Sequence, residues 1–546
     1  MNLDTANQVE YDLYLQGLTE QTVRKISADL QEPERMLELR LKSLEIFHKL
    51  PMPSFWPEIS DLNFDALVYY AKPKTWSKTY VNDREQVPDE IKSTFQKLGI
   101  PEAEQKYLAG AGGQFDSTAV YHKIKEVRAK QGIIFEDMSH ALKSYPELVQ
   151  KYFMKLVPPT DHKFAALHGA VWSGGSFVYV PKGVKLTQPL QAYFRMNTLA
   201  GGQFEHTLII VEDEAEAQYI EWCSAPKYNQ LSLHAWCVEI FVGKEAKMRY
   251  SSVENWSTNT YNLNTKRALV QDFGLMERIG GNLGSGATML YPCSVLKGEG
   301  SKADNLSVVM ASKGQHQDVG AKVIHLGKNT SSTIVSKSLS LQGGINTYRG
   351  LVKIWQNAEN AVCSVNCDAL ILDEESVSKT IPVIECDNAS ALVSHEASAG
   401  KVDEFQLFYL MSRGMDAEKA MSLLVNGFVS SVVKQLPLEY AGELNRFRPS
   451  GSWRTSPLTH GRCSFREYPK GAPPLSHTGG APFGSIRDDT PGGSQPRRRI
   501  IWVRKVIISN LTSQGLALNP NDCLHTQSFP KEISCTNYSS PRALVA

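Results

Sequence analysis

No two cysteines in this 546-residue chain are spaced as CxxC, and none occurs before position 223. The first absence removes the paired-thiol zinc and thioredoxin-like motifs. The second, with an odd total of nine thiols, argues against a disulfide framework and fits reduced thiols in a cytosolic protein. An excess of one charge is missing too: 58 Lys+Arg stand against 57 Asp+Glu, a net of +1. Composition therefore makes no electrostatic case for nucleic acid or an anionic membrane. No run approaches the ~18 apolar residues of a spanning helix. The opening MNLDTANQVEYDLYLQG lacks the basic-then-apolar order of a secretory signal. The phosphate-cradling G-x-x-x-x-G-K-[ST] is absent, and Gly327-Lys-Asn-Thr lacks its upstream glycine. G-x-S-x-G, H-E-x-x-H and G-x-G-x-x-G are not found in their required contexts either. The expectation is a protein that is not itself an enzyme; if ATP is used, another subunit hydrolyses it.

What is present concentrates between Ala361 and Ala399, which holds Cys363, Cys367, Cys386 and the pair His395-Glu396. Thiolates are soft ligands for iron–sulfur clusters, zinc or Cu(I), and a nearby His or Glu can complete such a site. In a strand, Cys363 and Cys367 share a face but stand about 13 Å apart at ~3.3 Å per residue, too far for one small ion. A metal site here is open, transient or completed by another chain. Taken alone, the same residues also fit buried structural cysteines.

The chain changes texture three times. Residues 1–160 read as mostly helical: Pro33 suits a first helical turn, and Leu37, Leu41, Leu44 and Phe47 recur at helical spacing. Further helices are expected across Ser117–Lys130 and Phe135–Leu156. From Phe164 to about Ala399, short β-rich runs such as Ser176-Phe-Val-Tyr-Val and Thr207-Leu-Ile-Ile-Val alternate with Gly, Asn and Asp turns. Two-residue hairpin turns are scarce, which favours a parallel β-helix over a meander, although no strict period supports it and a sandwich pair stays open. Helical signals return at 401–446, with Gly414 as a stop and Asp416 as a cap. Residues 447–546 are Pro- and Arg-rich and read as a disordered tail. Within it, Ile500–Ile508 is apolar enough for a strand, beside Arg497–Arg499.

Many ordered segments carry a resemblance over about residues 10–446. They include Met36-Leu-Glu-Leu-Arg-Leu-Lys-Ser-Leu, Gly99-Ile-Pro-Glu-Ala-Glu, Ser176-Phe-Val-Tyr-Val-Pro-Lys-Gly-Val and Tyr219-Ile-Glu-Trp-Cys-Ser-Ala-Pro. Tyr348-Arg-Gly-Leu-Val-Lys-Ile, Cys367-Asp-Ala-Leu, His395-Glu-Ala and Gln406-Leu-Phe-Tyr-Leu-Met-Ser-Arg-Gly continue the series. The chain resembles the SufB/SufD family of the SUF iron–sulfur cluster assembly system. That resemblance implies a right-handed parallel β-helix between helical ends and a cytoplasmic scaffold that builds a transient cluster, of the 4Fe-4S type. A SufD-like structural subunit that binds partners without building a cluster is the alternative. A polysaccharide-acting β-helix enzyme is a weaker reading, without an exported context or a carboxylate array.

The resemblance also assigns roles. Cys223 matches the sulfur acceptor, and Arg195, Asn197, Trp256 and Lys266 match positions on the sulfur path. Cys367, His395 and Glu396 match the cluster-building residues. Glu254 departs from the family, where Gln is common, and a charge there would disturb a polar path. The 401–446 hairpin, through Phe408, Met421, Leu424 and Phe428, is expected to dock the SufC ATPase. Other implied partners are SufD or a second copy, a cysteine desulfurase with its carrier (SufS with SufE or SufU) and apoprotein acceptors, with reduced flavin as an accompanying cofactor. From Phe447 the family pattern stops abruptly, which suggests a shifted reading frame or a joined gene fragment.

Overall fold

The computed structural model describes residues 10–54, 59–74, 108–225, 230–435 and 502–503. Gly99-Ile-Pro-Glu-Ala-Glu, residues 436–446 and almost all of the tail lie outside them. Within them a parallel β-solenoid of about eight turns dominates.

One long sheet carries the strands used below: β1 (Leu190–Arg195), β2 (Glu216–Ser224), β3 (Lys247–Asn255), β4 (Leu275–Asn282), β5 (Lys302–Ala311), β6 (Ser331–Ser340), β7 (Val362–Ile371) and β8 (Leu392–Lys401). They pair in that order, all parallel. Glu216 sits against Lys247, Lys247 against Leu275, Leu275 against Lys302, Lys302 against Ser331, Ser331 against Val362 and Val362 against Leu392, so a turn takes 27 to 31 residues. A second sheet, from Ser176–Val180 to Val377–Cys386, closes the other side.

The period absent from residue types is present in backbone conformation. Glu214, Glu245, Phe273, Gly300, Asn329 and Asn360, one before each of β2 to β7, all have φ between 56° and 63°. Their amides form a corner ladder: Glu214 N donates to Lys244 O, Glu245 N to Asp272 O, Phe273 N to Glu299 O and Gly300 N to Lys328 O. Side chains that strand alternation turns inward, such as Met248, Met276, Ala303, Ile334 and Val365, fill the interior. Each fully buried branched side chain contributes about 1.5–3 kcal/mol.

Among the described residues, the amino-terminal region departs in places from the helices its sequence suggests. Helices α1 (Glu20–Leu30) and α2 (Glu34–Lys49) are present, the latter just after Pro33. The helix expected over Ser117–Lys130 is instead a strand, Thr118–Ile124, followed by one helical turn at Glu126–Ala129. Asp116 (φ 50°) reverses the chain so that this strand pairs antiparallel with Gly110–Phe115. Phe135–Leu156 contains two short helices, Met138–Ser144 and Pro146–Tyr152, and Phe164 lies in helix α3 (Lys163–Val171), ahead of the first solenoid strand.

Helices α4 (Glu404–Ser412) and α5 (Ala417–Val433) follow β8. Asp403 accepts from Phe405 N and Asp416 from Lys419 N, with Gly414 at φ 90° between them, as the sequence indicates. Val425, Val429 and Val432 of α5 pack on the outer face of the long sheet with Val308, Met310 and Leu339. Of the tail, Trp502–Val503 pairs in parallel with Ser394 and His395 at the edge of β8, within the run whose strand character the sequence suggests.

Candidate functional site

Three register columns run along the inward face of the long sheet. The first reads Tyr219, Tyr250, Arg278, Asn305, Ile334, Val365 and His395 from β2 to β8. The second reads Glu221, Ser252, Gly280, Ser307, Ser336, Cys367 and Ala397. The third begins at Cys223 and continues through Glu254, Asn282, Val309, Ser338 and Ala369. Because alternation places residues two apart on one face, Cys223 and Cys367 look into the same interior. Between Glu221 and Cys367 the second column holds only Ser and Gly.

Around Cys223 the interior is polar and charged. Lys266 Nζ pairs with Glu254 Oε1 at 2.7 Å and donates to Ser252 Oγ at 3.0 Å. The Lys266 ammonium also lies 4.3 Å from the Trp236 ring centroid. Glu254 Oε2 accepts from Asn262 and Asn264, and Asn262 Oδ1 meets His234 Nδ1, whose Nε2 reaches Glu205 Oε2 at 3.1 Å. Glu254 and Lys266 therefore neutralise each other. Burial pushes the Glu254 carboxyl up, but Lys266 and His234 bring it below the usual carboxylate range. Glu221 has no such cation bonded to it among the described residues; burial raises its pKa to about 7, while Tyr250 and Thr207 donate to it.

The Cys223 thiol is not the accessible thiolate that persulfide chemistry leads one to expect. It is 1% exposed, and burial first, then Glu205, Glu254 and Glu221, push its pKa well above that of a free thiol. Of the four expected path residues, Lys266 is its electrostatic neighbour. Trp256 is buried and packs on His234, with centroids 4.3 Å apart. Arg195 lies on the face of β1 opposite Phe194, the register neighbour of Cys223, and donates to Ser224 Oγ at 3.1 Å. The backbone amide of Asn197 is held by Asp116 Oδ1 at 2.6 Å.

At the far end, Cys367 is buried, and its thiol is pushed up to about 12 by burial, against a lowering contribution from Tyr348. Cys363 shares its face, as expected from the spacing, and both pack in the interior. His395 is half-buried on the neighbouring strand and on the same face. Burial lowers its pKa, so it is a neutral imidazole at pH 7, and its Nε2 has no hydrogen-bond partner among the described residues. Glu396 pairs in register with Asn366 and therefore lies on the opposite, outward face, exposed. The strands thus bring Cys367 and His395 together and turn Glu396 away.

The carboxy-terminal hairpin divides its expected contacts in the same way. Met421 is buried, Leu424 is half-buried, and Phe428 packs against the sheet with Lys337 Nζ 4.5 Å from its ring centroid. Within the chain, Met421 is thus buried and Phe428 is packed on the sheet. The exposed apolar surface belongs to α4, where Phe405 is 84% and Phe408 70% exposed, joined by Tyr409 and Met411. Glu205, Glu221, His234 and Asn262 escaped the sequence reading; their signal is polar residues at inward positions of β-rich runs.

Residues 194–428 match the family described as SUF system FeS cluster assembly, SufBD core domain, and residues 80–192 match the SufBD protein N-terminal region. Over 430 residues, 79% of this chain, the sequence is 53% identical to the iron–sulfur cluster assembly protein SufB of Bacillus subtilis strain 168, of which 92% is covered. An iron–sulfur cluster assembly SufBD family protein of Staphylococcus aureus strain MRSA252 is 54% identical over a span of the same length.

Proposed function

The chain belongs to the SufBD family of the SUF system, and on that premise we propose that it is a scaffold on which an iron–sulfur cluster is built and released. The observation that carries this reading is the inward pair Cys367 and His395, a thiol and a neutral imidazole whose Nε2 has no partner among the described residues, on the adjacent strands β7 and β8. Once deprotonated, Cys367 supplies a soft sulfur ligand and His395 a nitrogen ligand to iron. Two ligands are an incomplete set, which suits a cluster that must leave again. A second copy of the chain or a SufD subunit completes it. Apolar exposure on the last turns supports a partner there: among the described residues Val383 and Leu392 are 44% and 66% exposed.

Sulfur arrives at Cys223. The Cys223 thiolate attacks the outer sulfur of a persulfide presented by a cysteine desulfurase or its carrier. The donor's S–S bond breaks, a new one forms on Cys223, and the donor leaves as a thiolate. Both thiols are buried, so the solenoid opens for each exchange. SufC, docking on the apolar surface of α4 and driven by ATP, supplies that movement through the short link from α4 to β8. Releasing the sulfur as sulfide takes two electrons, for which reduced flavin is the donor. Apoproteins take the finished cluster from the open end.

Anaerobic reconstitution with iron and sulfide, read by absorption and iron content, tests the reading. Wild-type protein with its partners is expected to take up a cluster, and Cys367→Ser and His395→Ala are each expected to lose most of it. Unchanged iron content in Cys367→Ser rules out the ligand role. Wild type that takes up no cluster makes the chain the SufD-like structural subunit instead.

A further inference from the structure

Between Cys223 and Cys367 the interior is not fully packed: a cavity extends across β3 to β6. Arg278, Asn282 and Asn305 line it, and each is at least nine-tenths buried. Arg278 Nη2 donates to Cys293 O at 3.1 Å, yet its Nε and Nη1 have no partner among the described residues. Asn305, its register neighbour on β5, has neither amide atom bonded, and Asn282 Oδ1 is likewise unpartnered. Gly280, between the Arg278 and Asn282 positions, leaves the space open, since a Cβ there would meet only Ser307 at 3.9 Å.

The charges do not cancel. Glu254 and Lys266 also line the cavity and neutralise each other, whereas Arg278 makes no ion pair among the described residues. Burial lowers its pKa to about 10, which leaves the guanidinium charged at neutral pH. A buried charge without a partner is strongly disfavoured, so the site favours an anion that can pair with it. Most of the remaining lining is apolar, Leu290, Val309 and Ile334 among it. Such a wall penalises strongly hydrated, multiply charged anions more than small, polarisable monoanions.

We propose that Arg278, with the Asn305 amide, forms an internal binding site for a small soft monoanion, hydrosulfide, midway between the two thiols. The guanidinium supplies the charge and two N–H donors, and the Asn305 amide supplies another donor. Hydrosulfide is the form of reduced sulfur that a cluster consumes, so its identity rests on the scaffold reading; the existence of a monoanion site does not. Arg278 would hold sulfur in transit without bonding to it, so no electrons move at this step.

Bromide, a monoanion with an anomalous signal, is the probe. Crystals of the wild-type chain soaked in sodium bromide are expected to show an anomalous peak within hydrogen-bond distance of Arg278 Nε or Nη1. In solution, bromide should raise the thermal midpoint more than phosphate at equal ionic strength, and Arg278→Met should abolish the difference. If Arg278→Met does not fold, Asn305→Leu provides the second test, with lower bromide occupancy expected. Anaerobic hydrosulfide is expected to displace bromide. No peak in wild type, or a peak unchanged in a folded Arg278→Met protein, overturns the site. Bromide that hydrosulfide cannot displace overturns the sulfur assignment. Failure of the scaffold reading shows elsewhere, as loss of cluster assembly with bromide binding intact.

Discussion

Cys223 and Cys367 face one interior from strands five steps apart, on register columns offset by two residues. Five steps of about 4.8 Å put their strands about 24 Å apart along the sheet. The two thiols cannot exchange sulfur by direct attack without a large rearrangement. Whatever joins them passes the Ser and Gly column and the Arg278 cavity, or depends on a movement of the solenoid.

Glu221 stands beside this route with its carboxyl raised from 4.5 to about 7 by burial. Between those values the folded chain holds the proton more tightly than the unfolded chain, so this group's effect is a loss of stability as pH rises through that window. The shift corresponds to about 3 kcal/mol. Thermal midpoints of Glu221→Gln measured from pH 4.5 to 7.5 should lack that decline, with the largest gain over wild type at the upper end. A parallel decline in wild type and variant would show that Glu221 does not titrate there.

Lys266 and Glu254 form a buried ion pair, each side chain about 1% exposed. Lys266→Met strands the carboxylate and should lower stability by about 3–5 kcal/mol in urea denaturation. Lys266→Met with Glu254→Gln removes both charges and should recover most of that loss. A double variant no better than the single would mean that Lys266 acts through its packing on Trp236 instead.

The carboxy-terminal hairpin separates docking from folding. Phe408→Asp on exposed α4 should leave the circular dichroism and thermal midpoint unchanged while weakening capture of the ATPase subunit at least tenfold. Phe428→Asp should lower the midpoint, because the aromatic ring is taken up by Lys337 and the sheet. Undiminished ATPase binding by Phe408→Asp would move the docking surface away from α4.

The β class and the order of regions were legible in the sequence because strand runs and turn residues are local signals. The solenoid period was not, because the corner needs only a left-handed backbone, and Glu, Phe, Gly and Asn all meet that need here. Cys363 and Cys367 share a face as their spacing predicts. The same alternation, applied to His395-Glu396, separates two residues that look like a pair in one dimension. Thr118–Ile124 was misread because its apolar spacing allows a helix, and only the Asp116 turn and the partner strand decide for the sheet. Accessibility was the deepest gap: no local pattern says that Cys223 lies under the solenoid wall or that Lys266 already has a carboxylate partner.

The central claim is that sulfur received at Cys223 reaches Cys367. With labelled sulfur supplied by the desulfurase and its carrier, persulfide read at Cys223 by mass spectrometry and labelled sulfide read in the cluster held at Cys367 in the full complex, label should appear on Cys223 first and in the cluster later. Cys223→Ala should abolish labelling at both positions, and Cys367→Ser should leave Cys223 labelled. Labelling of the Cys367 cluster at the wild-type rate in Cys223→Ala would contradict the account.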